Sequence, residues 1–472
     1  MKQYRLYLAG EFRETRNSIE VRNPFNNEVI GLVSIASKND LEDAIVAAEA
    51  VFSEFRKLPS YQRYKILMQI CNELDNEKDR LSKILAAEAA KPIRLAAAEI
   101  DRAVETFRIA AEESKRLPRE YISLDWTSAG LNKEGLVKYF PVGLVAGIAP
   151  FNFPINLAVH KIAPAIAAGC PIILKPSTST PLSMLELAKI IDNSDLPKGA
   201  VSILPMDRQT GNQLVTDERF KLLSFTGSPE VGWKMKQQAG KKKVVLELGG
   251  NAGAIITETC DFDWAIRRCI GGGFSYAGQV CIHTQRIYVH ESIFSSFTKL
   301  YVEKASKLKF GDPIDPSTDI SSMIDETNAI RVETWVNEAV SYGAQILTGG
   351  KRTGSFYEPT VLTNTEPSMK VCEMEVFGPL VVIESYNNFH DAVKLINNGR
   401  YGLQAGVFTN RIDEMNYAFE HLEVGGVIIN DVPTFRVDNM PYGGVKDSGF
   451  GREGVKYAIL DMMEPRLLIK NF

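Results

Sequence analysis

A cysteine in a loop of small residues is the first side chain in this sequence that suggests covalent chemistry. Cys281 follows Gly278-Gln279-Val280, and the apolar run 287–289 behind it predicts a buried strand. A thiol at the end of a turn, beside glycines that let a ligand approach the backbone, suits a nucleophile. A core cysteine that packs as a small hydrophobe has the same local pattern. This stretch alone leaves both interpretations open.

A second stretch, 222–229, predicts a phosphate-binding turn. The apolar strand 222–225 runs into Thr226-Gly227-Ser228, where Ser228 is a typical helix N-cap and Pro229 a typical first helical residue. A strand, a glycine turn and a helix N-terminus together can bind a phosphate through free backbone amides. The stretch contains no G-x-G-x-x-G pattern, so an ordinary strand-to-helix turn is an equal alternative.

Composition limits the class of protein. The 472 residues, 45% hydrophobic and 24% charged, predict a soluble globular chain of two or three domains. The net charge of -4 gives no reason to expect nucleic acid or a membrane surface as partner. The six cysteines have neither metal-ligand nor disulfide spacing, which predicts reduced thiols in a cytoplasm. The five histidines are not clustered, so no zinc site is predicted. Residues 1–11 lack a signal-peptide core, and polar residues interrupt the apolar region 142–174, which excludes a membrane span there.

The order of the predicted elements indicates an α/β fold. Residues 1–35 predict short strands, and residues 121–139 predict an extended excursion. Residues 40–116 predict helices, the first of which Asp40 would cap. Strands and helices alternate strictly over 143–248, which predicts a doubly wound parallel sheet with its ligand at the carboxyl ends of the strands. A second alternating region follows, and the tail 466–470 predicts an edge strand able to pair with another subunit.

Six motifs together resemble those of the NAD(P)-dependent aldehyde dehydrogenase superfamily, and they occur in that family's order. They are Ala149–Pro154, Phe225–Ser228, Leu246–Gly250, Gly278–Cys281, Glu375–Pro379 and Pro441–Gly444. The likeness covers essentially the whole chain. It implies a doubly wound parallel-sheet cofactor domain (1–120 and 142–248), a second α/β catalytic domain (249–446) and a small β oligomerisation arm (121–141 and 454–472). Dimers or tetramers are the implied assembly.

The resemblance implies oxidation of an aldehyde to an acid with NAD or NADP, and three residue types fit this chemistry. Cys281 would supply the thiolate that forms the tetrahedral adduct from which hydride leaves. The Asn152 amide would stabilise the oxyanion, where loss of one donor typically costs about 2.7–4 kcal/mol. Glu247 ends an apolar strand, so desolvation should raise its pKa toward that of a useful general base. A purely structural carboxylate is the alternative for Glu247.

The resemblance also implies a set of cofactor-binding residues. Glu375 would bind the nicotinamide ribose, Phe377 would pack on the nicotinamide, and Lys175 would bind the adenine ribose. The complete implied set is Pro150, Lys175, Ser177, Thr178, Gly211, Phe225, Gly227, Ser228, Val231, Leu248, Glu375 and Phe377.

Three positions depart from the commonest family pattern. Tyr276 stands where asparagine is frequent, Asn251 where lysine is common, and Thr178 where many members have glutamate. A glutamate at the last position would repel the 2′-phosphate of NADP, whereas Thr178 offers a hydroxyl and Lys175 remains to pair with a phosphate. We therefore predict that NADP is accepted at least as well as NAD, with a bystander threonine as the alternative.

The substrate is predicted from two runs, 435–444 and 451–454. They are similar to a branch for small polar or anionic aldehydes, which includes lactaldehyde, phosphonoacetaldehyde and non-phosphorylating glyceraldehyde-3-phosphate dehydrogenases. Arg108 and His160 are predicted to face the substrate entrance. Alternatively, Arg108 pairs with Glu112 on the surface and His160 is a core residue. Val280, beside the nucleophile, offers no positive charge for a phosphate.

Two other functions fit the same motifs. One is a CoA-acylating semialdehyde dehydrogenase, and the other is an idle relative that serves as a structural or binding protein. Glu247 favours water over CoA as the acceptor, and intact Cys281, Glu247 and Asn152 favour an active enzyme.

Overall fold

A computed structural model describes residues 2–472 of the chain. The amino-terminal part contains short strands followed by a block of helices. The elements are β1 (Gln3–Tyr4), β2 (Leu6–Leu8), β3 (Glu11–Arg13), β4 (Ser18–Arg22), β5 (Val29–Ser34), α1 (Lys38–Phe55), α2 (Ser60–Asn76), α3 (Lys78–Ala89) and α4 (Ile93–Ser114). Helix α1 begins with a capping box in which Ser37 is the N-cap and Asp40 the third helical residue. The prediction that Asp40 is the N-cap is therefore wrong, because the Ser37 hydroxyl binds the Asp40 amide and starts the helix earlier.

The middle of the chain alternates strands and helices, as predicted. Its elements are β6 (Arg119–Ser123), β7 (Lys133–Pro141), β8 (Val145–Ile148), α5 (Pro154–Ala168), β9 (Ile172–Lys175), α6 (Leu182–Asp192), β10 (Val201–Ile203), α7 (Arg208–Thr216), β11 (Leu222–Thr226), α8 (Pro229–Gln238) and β12 (Lys243–Glu247). Helix α5 begins with Pro154, whose fixed φ suits a first helical residue, and ends at Gly169 with φ 84°, a left-handed cap. A short 3₁₀ turn spans Ser128–Gly130.

The remaining elements form a second alternating region and the tail. They are β13 (Ala252–Ile256), α9 (Phe262–Phe274), β14 (Thr284–His290), α10 (Glu291–Ala305), α11 (Glu326–Ser341), β15 (Gln345–Thr348), β16 (Arg352–Thr353), β17 (Phe356–Tyr357), β18 (Thr360–Thr363), α12 (Lys370–Glu373), β19 (Leu380–Tyr386), α13 (Phe389–Asn397), β20 (Tyr401–Gly402), β21 (Gln404–Phe408), α14 (Ile412–His421), β22 (Gly426–Ile429), β23 (Val445–Lys446), β24 (Gly449–Phe450), α15 (Val455–Asp461) and β25 (Met463–Asn471). A second 3₁₀ turn spans Ser275–Gly278.

Two large sheets carry the fold. The eight-stranded sheet has the order β24-β12-β11-β8-β9-β10-β2-β3, and its five central strands, β12 to β10, are parallel. Helix α5, buried along its whole length, covers one face of this sheet together with α6, and α4 packs on the outer side of α5. The seven-stranded sheet has the order β15-β18-β19-β14-β13-β21-β22 and is parallel except at β15. Parallel strands with apolar residues on both faces require such covering helices.

A three-stranded antiparallel sheet, β25-β7-β6, stands apart from the large sheets and is formed by the segments for which an arm is predicted. Strand β25 pairs with β7 from Met463↔Pro141 to Asn471↔Lys133, so its other edge is free. Helix α15 buries Val455 and Ile459 in the core that α4 and α5 share. We therefore propose that the carboxyl-terminal part of the arm begins at Met463 rather than at 454. No helix within residues 2–472 is long and apolar enough to cross a membrane.

Candidate active site

A cavity of about 390 Å³ lies where the carboxyl ends of β8, β11 and β12 face the loops of the seven-stranded sheet. Its position follows the general rule that parallel α/β sheets bind ligands at the carboxyl ends of their strands. The predicted site residues that line this cavity are Pro150, Asn152, Gly227, Ser228, Glu247, Leu248, Cys281, Glu375 and Phe377. Residues separated by more than 200 positions in sequence thus meet in one cavity.

Cys281 is partly exposed at the wall of this cavity. Its Sγ lies 2.9 Å from the hydroxyl oxygen of Tyr442. Burial raises the pKa of the Cys281 thiol to about 11, while the Tyr442 hydrogen bond and the charge of Arg436 act in the opposite direction. The thiol is therefore protonated at neutral pH in the free protein, and Tyr442 is the one side chain that contacts its sulfur by a hydrogen bond among residues 2–472.

The loop before Cys281 is held in a left-handed backbone. Tyr276, Ala277 and Gly278 have φ of 50°, 51° and 67° in succession. A Cβ on Gly278 would lie 2.0 Å from the Gly378 carbonyl oxygen, so only glycine allows this close approach. The buried Tyr276 donates its hydroxyl to the Ala89 carbonyl at 3.0 Å. The tyrosine that departs from the family pattern thus fastens the nucleophile loop to helix α3. The three consecutive glycines 271–273, which precede this loop in the sequence, lie inside helix α9.

Asn152 is fixed from both sides. Its backbone carbonyl accepts a hydrogen bond from the Lys91 ammonium at 2.6 Å, and its Nδ2 donates to the Gln279 carbonyl at 3.0 Å. An amide nitrogen carries two hydrogens, so one remains for a ligand atom. Gln279 lies two residues before Cys281, which brings the Asn152 amide to the nucleophile loop.

Glu247 lies at the carboxyl end of β12 and is 3% exposed. Neither of its carboxylate oxygens has a hydrogen-bond partner within residues 2–472. Burial, with repulsion from Glu453, raises the pKa of Glu247 well above its ordinary value. A Cβ on Gly443 would lie 3.0 Å from the Glu247 Oε1, so the glycine leaves room for this side chain. The carboxyl group is thus able to accept a proton from a water that enters the cavity.

A buried ionic cluster lies behind these residues, and the sequence analysis missed most of it. Glu453 accepts a hydrogen bond from Arg436 at 2.5 Å and lies 3.6 Å from the Lys161 ammonium. The Arg436 guanidinium lies 3.7 Å from the centre of the Tyr442 ring. The run 435–444 was used to predict the substrate class, but nothing local in the sequence shows that its Arg436 reaches helix α5.

The predicted substrate residues lie elsewhere. Arg108 is on the exposed side of α4, where it pairs with Glu105 rather than with Glu112, and it does not line the cavity. This position favours the alternative of a surface ion pair for Arg108, because helix α4 presents the residue to solvent. His160 is 1% exposed, its Nε2 lies 2.7 Å from Asp438, and it does not line the cavity either. The alternative of a core histidine describes it better.

The nicotinamide side of the predicted cofactor set is compact. Glu375 accepts a hydrogen bond from the Gly250 amide at 2.9 Å, and burial raises the pKa of its carboxyl group to about 8. Phe377 has a left-handed backbone, φ 46°, and its ring packs edge-on against Phe151 at 5.8 Å. Both side chains line the cavity beside Cys281.

The adenine side of the predicted set lies outside the cavity itself. Lys175 is the last residue of β9, and its side chain packs against Gly211. A Cβ added at Gly211 would lie only 3.1 Å from the Lys175 Cδ. Burial, with repulsion from Arg208, lowers the pKa of Lys175. Ser177 is half-buried, and Thr178 is exposed. These groups form one polar surface beside the carboxyl end of β9.

The strand-to-helix turn at 226–229 has the predicted boundaries and the predicted N-cap. Ser228 is the N-cap of α8, yet its side chain makes no capping hydrogen bond, which leaves first-turn amides free for an anion. Phe225 is buried beneath the turn, where a Cβ on Gly227 would lie 2.5 Å from its ring. Val231, in the first turn of α8, is 43% exposed. The free amides and the small Gly227 fit the pyrophosphate of a dinucleotide.

A thiol, a buried carboxyl group and a free amide beside a dinucleotide-type phosphate site define an oxidoreductase that works through a covalent thiol adduct. The model of the aldehyde dehydrogenase family matches residues 12–468. The chain therefore belongs to the aldehyde dehydrogenase family. No cluster of metal-ligating side chains occurs in the part of the chain that the structure describes, residues 2–472.

Individual relatives match the chain over its whole length. The 3-sulfolactaldehyde dehydrogenase of Priestia megaterium is 43% identical over 472 residues, which cover 100% of this chain and 98% of that protein. The crystal structure of aldehyde dehydrogenase 21 from Physcomitrella patens, in complex with the reaction product succinate, has a TM-score of 0.98 and 46% identity, and the match covers 100% of this chain and 98% of that one. The crystal structure of glyceraldehyde-3-phosphate dehydrogenase GapN from Methanocaldococcus jannaschii, complexed with NADP, has a TM-score of 0.93 and 40% identity over 98% of this chain and 100% of that one.

These relatives confirm the predicted family, the predicted α/β fold and the predicted enzyme class. The chain is an oxidoreductase that oxidises an aldehyde to the carboxylic acid with NAD or NADP. The idle relative is not favoured, since the matched relatives are named as dehydrogenases. The CoA-acylating alternative is not favoured either, since the reaction product in the Physcomitrella patens structure is succinate, a free acid.

Proposed function

We propose that this enzyme oxidises a small aldehyde that carries an anionic group. The observation that carries this proposal is the position of Arg436, whose guanidinium packs on the ring of Tyr442 while the Tyr442 hydroxyl contacts the Cys281 sulfur. Arg436 already pairs with Glu453, but its Nε has no hydrogen-bond partner within residues 2–472. In this proposal that free N–H binds a sulfonate or carboxylate at the far end of a short aldehyde. The sulfolactaldehyde relative and the succinate-bound relative support the same substrate class.

In this proposal Cys281 attacks the aldehyde carbon, and the carbonyl oxygen becomes an oxyanion. The proton of the thiol passes to water in the cavity before or during attack, because the thiolate is the reactive form. The remaining Asn152 N–H and the Cys281 loop stabilise the oxyanion. Glu375 and Phe377, which line the cavity beside Cys281, would hold a nicotinamide cofactor there, and it would supply the acceptor for the hydride lost from the adduct carbon. Loss of that hydride converts the adduct into a thioester.

Glu247 then takes a proton from water, and the resulting hydroxide cleaves the thioester to release the acid and the thiol. Its raised pKa suits this role, since a general base works best with a pKa near the operating pH. The carboxyl oxygens without partners leave both proton-accepting positions available for that water.

The proposed cofactor set uses the free amides at Ser228 for the pyrophosphate and Glu375 for the nicotinamide ribose. Lys175 and the nearby Arg208 give the adenine-ribose end a positive surface, which suits the 2′-phosphate of NADP. Thr178 adds no negative charge there. We therefore infer that NADP is used at least as well as NAD.

The cofactor proposal is tested by the variant Thr178→Glu. Two opposed charges about 4 Å apart interact by about 4 kcal/mol at an effective dielectric of 20, and even a third of that is roughly tenfold in affinity. Thr178→Glu is therefore expected to lower the ratio of kcat/KM for NADP over NAD by roughly tenfold or more. Ser179→Glu, with the same charge on the neighbouring exposed residue, should move the ratio less. A native enzyme with strong NAD preference, together with an unmoved ratio in Thr178→Glu, would contradict the assignment.

The substrate proposal is tested by Arg436→Met with two aldehydes of equal length, succinic semialdehyde and butanal. A hydrogen bond to a charged group contributes about 1.5–3 kcal/mol, so kcat/KM for the anionic aldehyde should fall by roughly tenfold more than for the neutral one. Arg108→Met, which removes an exposed arginine away from the cavity, is the matched control and should change neither. Equal losses for both aldehydes in Arg436→Met would mean that Arg436 supports the fold only.

We propose that two copies of the chain pair through the free edge of β25. Leu467, Leu468 and Ile469 on this strand are 45%, 52% and 52% exposed, an unusual apolar edge for a strand that remains uncovered. The six cysteines form no disulfide, which suits the proposed cytoplasmic location.

A further inference from the structure

A basic crevice of about 760 Å³ lies where the three-stranded sheet meets α1, α2 and α4. The six cationic side chains that line it are Arg56, Lys57, Arg63, Lys115, Arg119 and Lys138, and no aspartate or glutamate lines it. The whole chain has more acidic than basic residues, 58 against 54, so this concentration of positive charge is local. The active-site cavity shares no residue with the basic crevice.

Most of these cations have no counter-charge. Lys57 pairs with Glu54 at 3.1 Å, and Lys115 pairs with Glu112 at 3.1 Å. The other four, on three walls of the basic crevice, form no ion pair with any of residues 2–472: Arg56, Arg63, Arg119 and Lys138. Elsewhere on the surface, arginines such as Arg219 and Arg352 each pair with two carboxylates.

Arg63 is the most unusual member, because it is only 7% exposed. Its Nε donates to the Leu58 carbonyl at 2.9 Å and its Nη1 to the Ala167 carbonyl at 2.7 Å. These bonds orient the guanidinium but do not neutralise it, and a buried charge without a counter-ion is destabilising. An anion within the basic crevice would supply the missing negative charge.

The sheet beside Arg63 shows the same imbalance. Arg119 of β6 and Arg466 of β25 both lie directly opposite Lys138 of β7, so three cations stand in one cross-strand row. Like charges directly opposite each other destabilise a sheet. The Phe140 ring, 5.2 Å from the Lys138 ammonium and 4.4 Å from the Arg466 guanidinium, offsets only part of this repulsion.

The basic crevice also contains the start of a long helix. Helix α2 has 17 residues, and its N-cap, Pro59, provides no side-chain hydrogen bond for the first-turn amides. Pro59 and Ser60 line the basic crevice, so the positive end of the helix lies beside the four unpaired cations.

We propose that the basic crevice binds a small anion with two or more phosphate groups, at a site separate from the active site. Its volume lies within the range of small-molecule sites, about 300–1,000 Å³. Guanidinium groups match phosphate oxygens in pairs, which favours phosphates over isolated carboxylates. Arg63 lines the basic crevice although it is only 7% exposed, so a small anion that enters the crevice is the occupant we propose. Bound there, the anion joins the three-stranded sheet to helices α2 and α4.

The probe is inorganic pyrophosphate, titrated by calorimetry into the full-length enzyme saturated with NADP, so that the cofactor's own phosphate site is filled. We expect one equivalent to bind per chain, with an affinity that falls as salt rises. The double variant Arg119→Ser/Lys138→Ser should weaken binding at least tenfold. The control Lys309→Ser/Lys351→Ser removes two exposed charges from the other part of the chain and should leave the affinity unchanged. Arg56→Ser, on a different wall of the basic crevice, should weaken binding as well.

Three results would overturn the proposal. Binding that disappears once NADP saturates the enzyme would place pyrophosphate in the cofactor site. Equal affinity in the native enzyme and in Arg119→Ser/Lys138→Ser would exclude the basic crevice. No binding by the native enzyme, together with a changed molar mass of that double variant in light scattering, would mean that a second copy of the chain covers this surface.

Discussion

Cys281→Ala is expected to lower kcat by roughly 10⁴-fold or more, the size of loss seen when a covalent nucleophile is removed from an enzyme. No second thiol lines the cavity to replace it. Cofactor binding, followed by fluorescence titration with NADPH, should remain near that of the native enzyme, because Cys281 contacts the reacting carbon rather than the dinucleotide phosphates. The same loss should appear for every aldehyde tested.

The pH dependence of alkylation gives a second readout for Cys281. Burial raises the pKa of this thiol to about 11, so its reactive thiolate fraction increases as pH rises toward that value. The rate of inactivation by iodoacetamide should rise accordingly, and Tyr442→Phe should shift the profile to higher pH, since it removes the hydrogen bond that lowers the pKa.

Cys260→Ala is the matched control, because Cys260 is a half-buried thiol whose pKa is also raised to about 11 and which lies outside the cavity. It should keep full activity and the native inactivation profile. Substantial turnover by Cys281→Ala, or loss of turnover in Cys260→Ala, would show that the nucleophile has been assigned to the wrong thiol.

Glu247→Gln is expected to separate the two halves of the reaction. Hydride transfer does not need the carboxylate, so a burst of about one equivalent of NADPH per active site should remain. Steady-state turnover should fall by roughly 10²–10⁴-fold, the usual contribution of a positioned general base. The amide keeps the size of the side chain, and neither carboxylate oxygen has a protein partner to lose. Stopped-flow absorbance of NADPH measures both phases.

The dependence of turnover on pH gives a second test of Glu247 as the base. Because the pKa of Glu247 is raised, the group is protonated on the acid side and acts as a base only after it loses that proton, so native turnover should rise with pH. Glu247→Gln should lose this rise. Glu384→Gln is the control, since burial also raises the pKa of Glu384 but its carboxylate binds Thr365 away from the cavity. A Glu247→Gln enzyme without a burst would contradict the role in thioester hydrolysis.

The parallel centres of both large sheets were predictable because each strand and helix carries its own local signal. Pro154 and Gly169 mark the two ends of α5 in the sequence, and the structure has the helix between them. Short strands were predicted in residues 1–35, but not that β2 and β3 from this segment, and β24 from the far end of the chain, add antiparallel strands to the eight-stranded sheet. Each has only two or three residues, and nothing in so short a segment identifies its partner strand.

A motif fixes both residue type and position for Cys281, Glu247 and Asn152, and the structure brings these three residues together in one cavity. The site was not predictable where contacts depend on the tertiary fold. Arg436 and His160 are 276 residues apart, and no periodicity relates them. The exposed position of Arg108 was not predictable either, because the sequence shows that α4 is a helix but not which of its polar positions faces the cavity.

The most direct test of a covalent mechanism is the mass of the enzyme after one turnover. Glu247→Gln is mixed with NADP and one equivalent of succinic semialdehyde, quenched in acid, and analysed by mass spectrometry of the intact chain and of its peptides. We expect an increase equal to the aldehyde minus two hydrogens, located on the peptide that contains Cys281, because the acyl group replaces the thiol proton and the hydride has gone to the cofactor. An unmodified chain after a full burst of NADPH, or an acyl group on any other residue, would contradict the account.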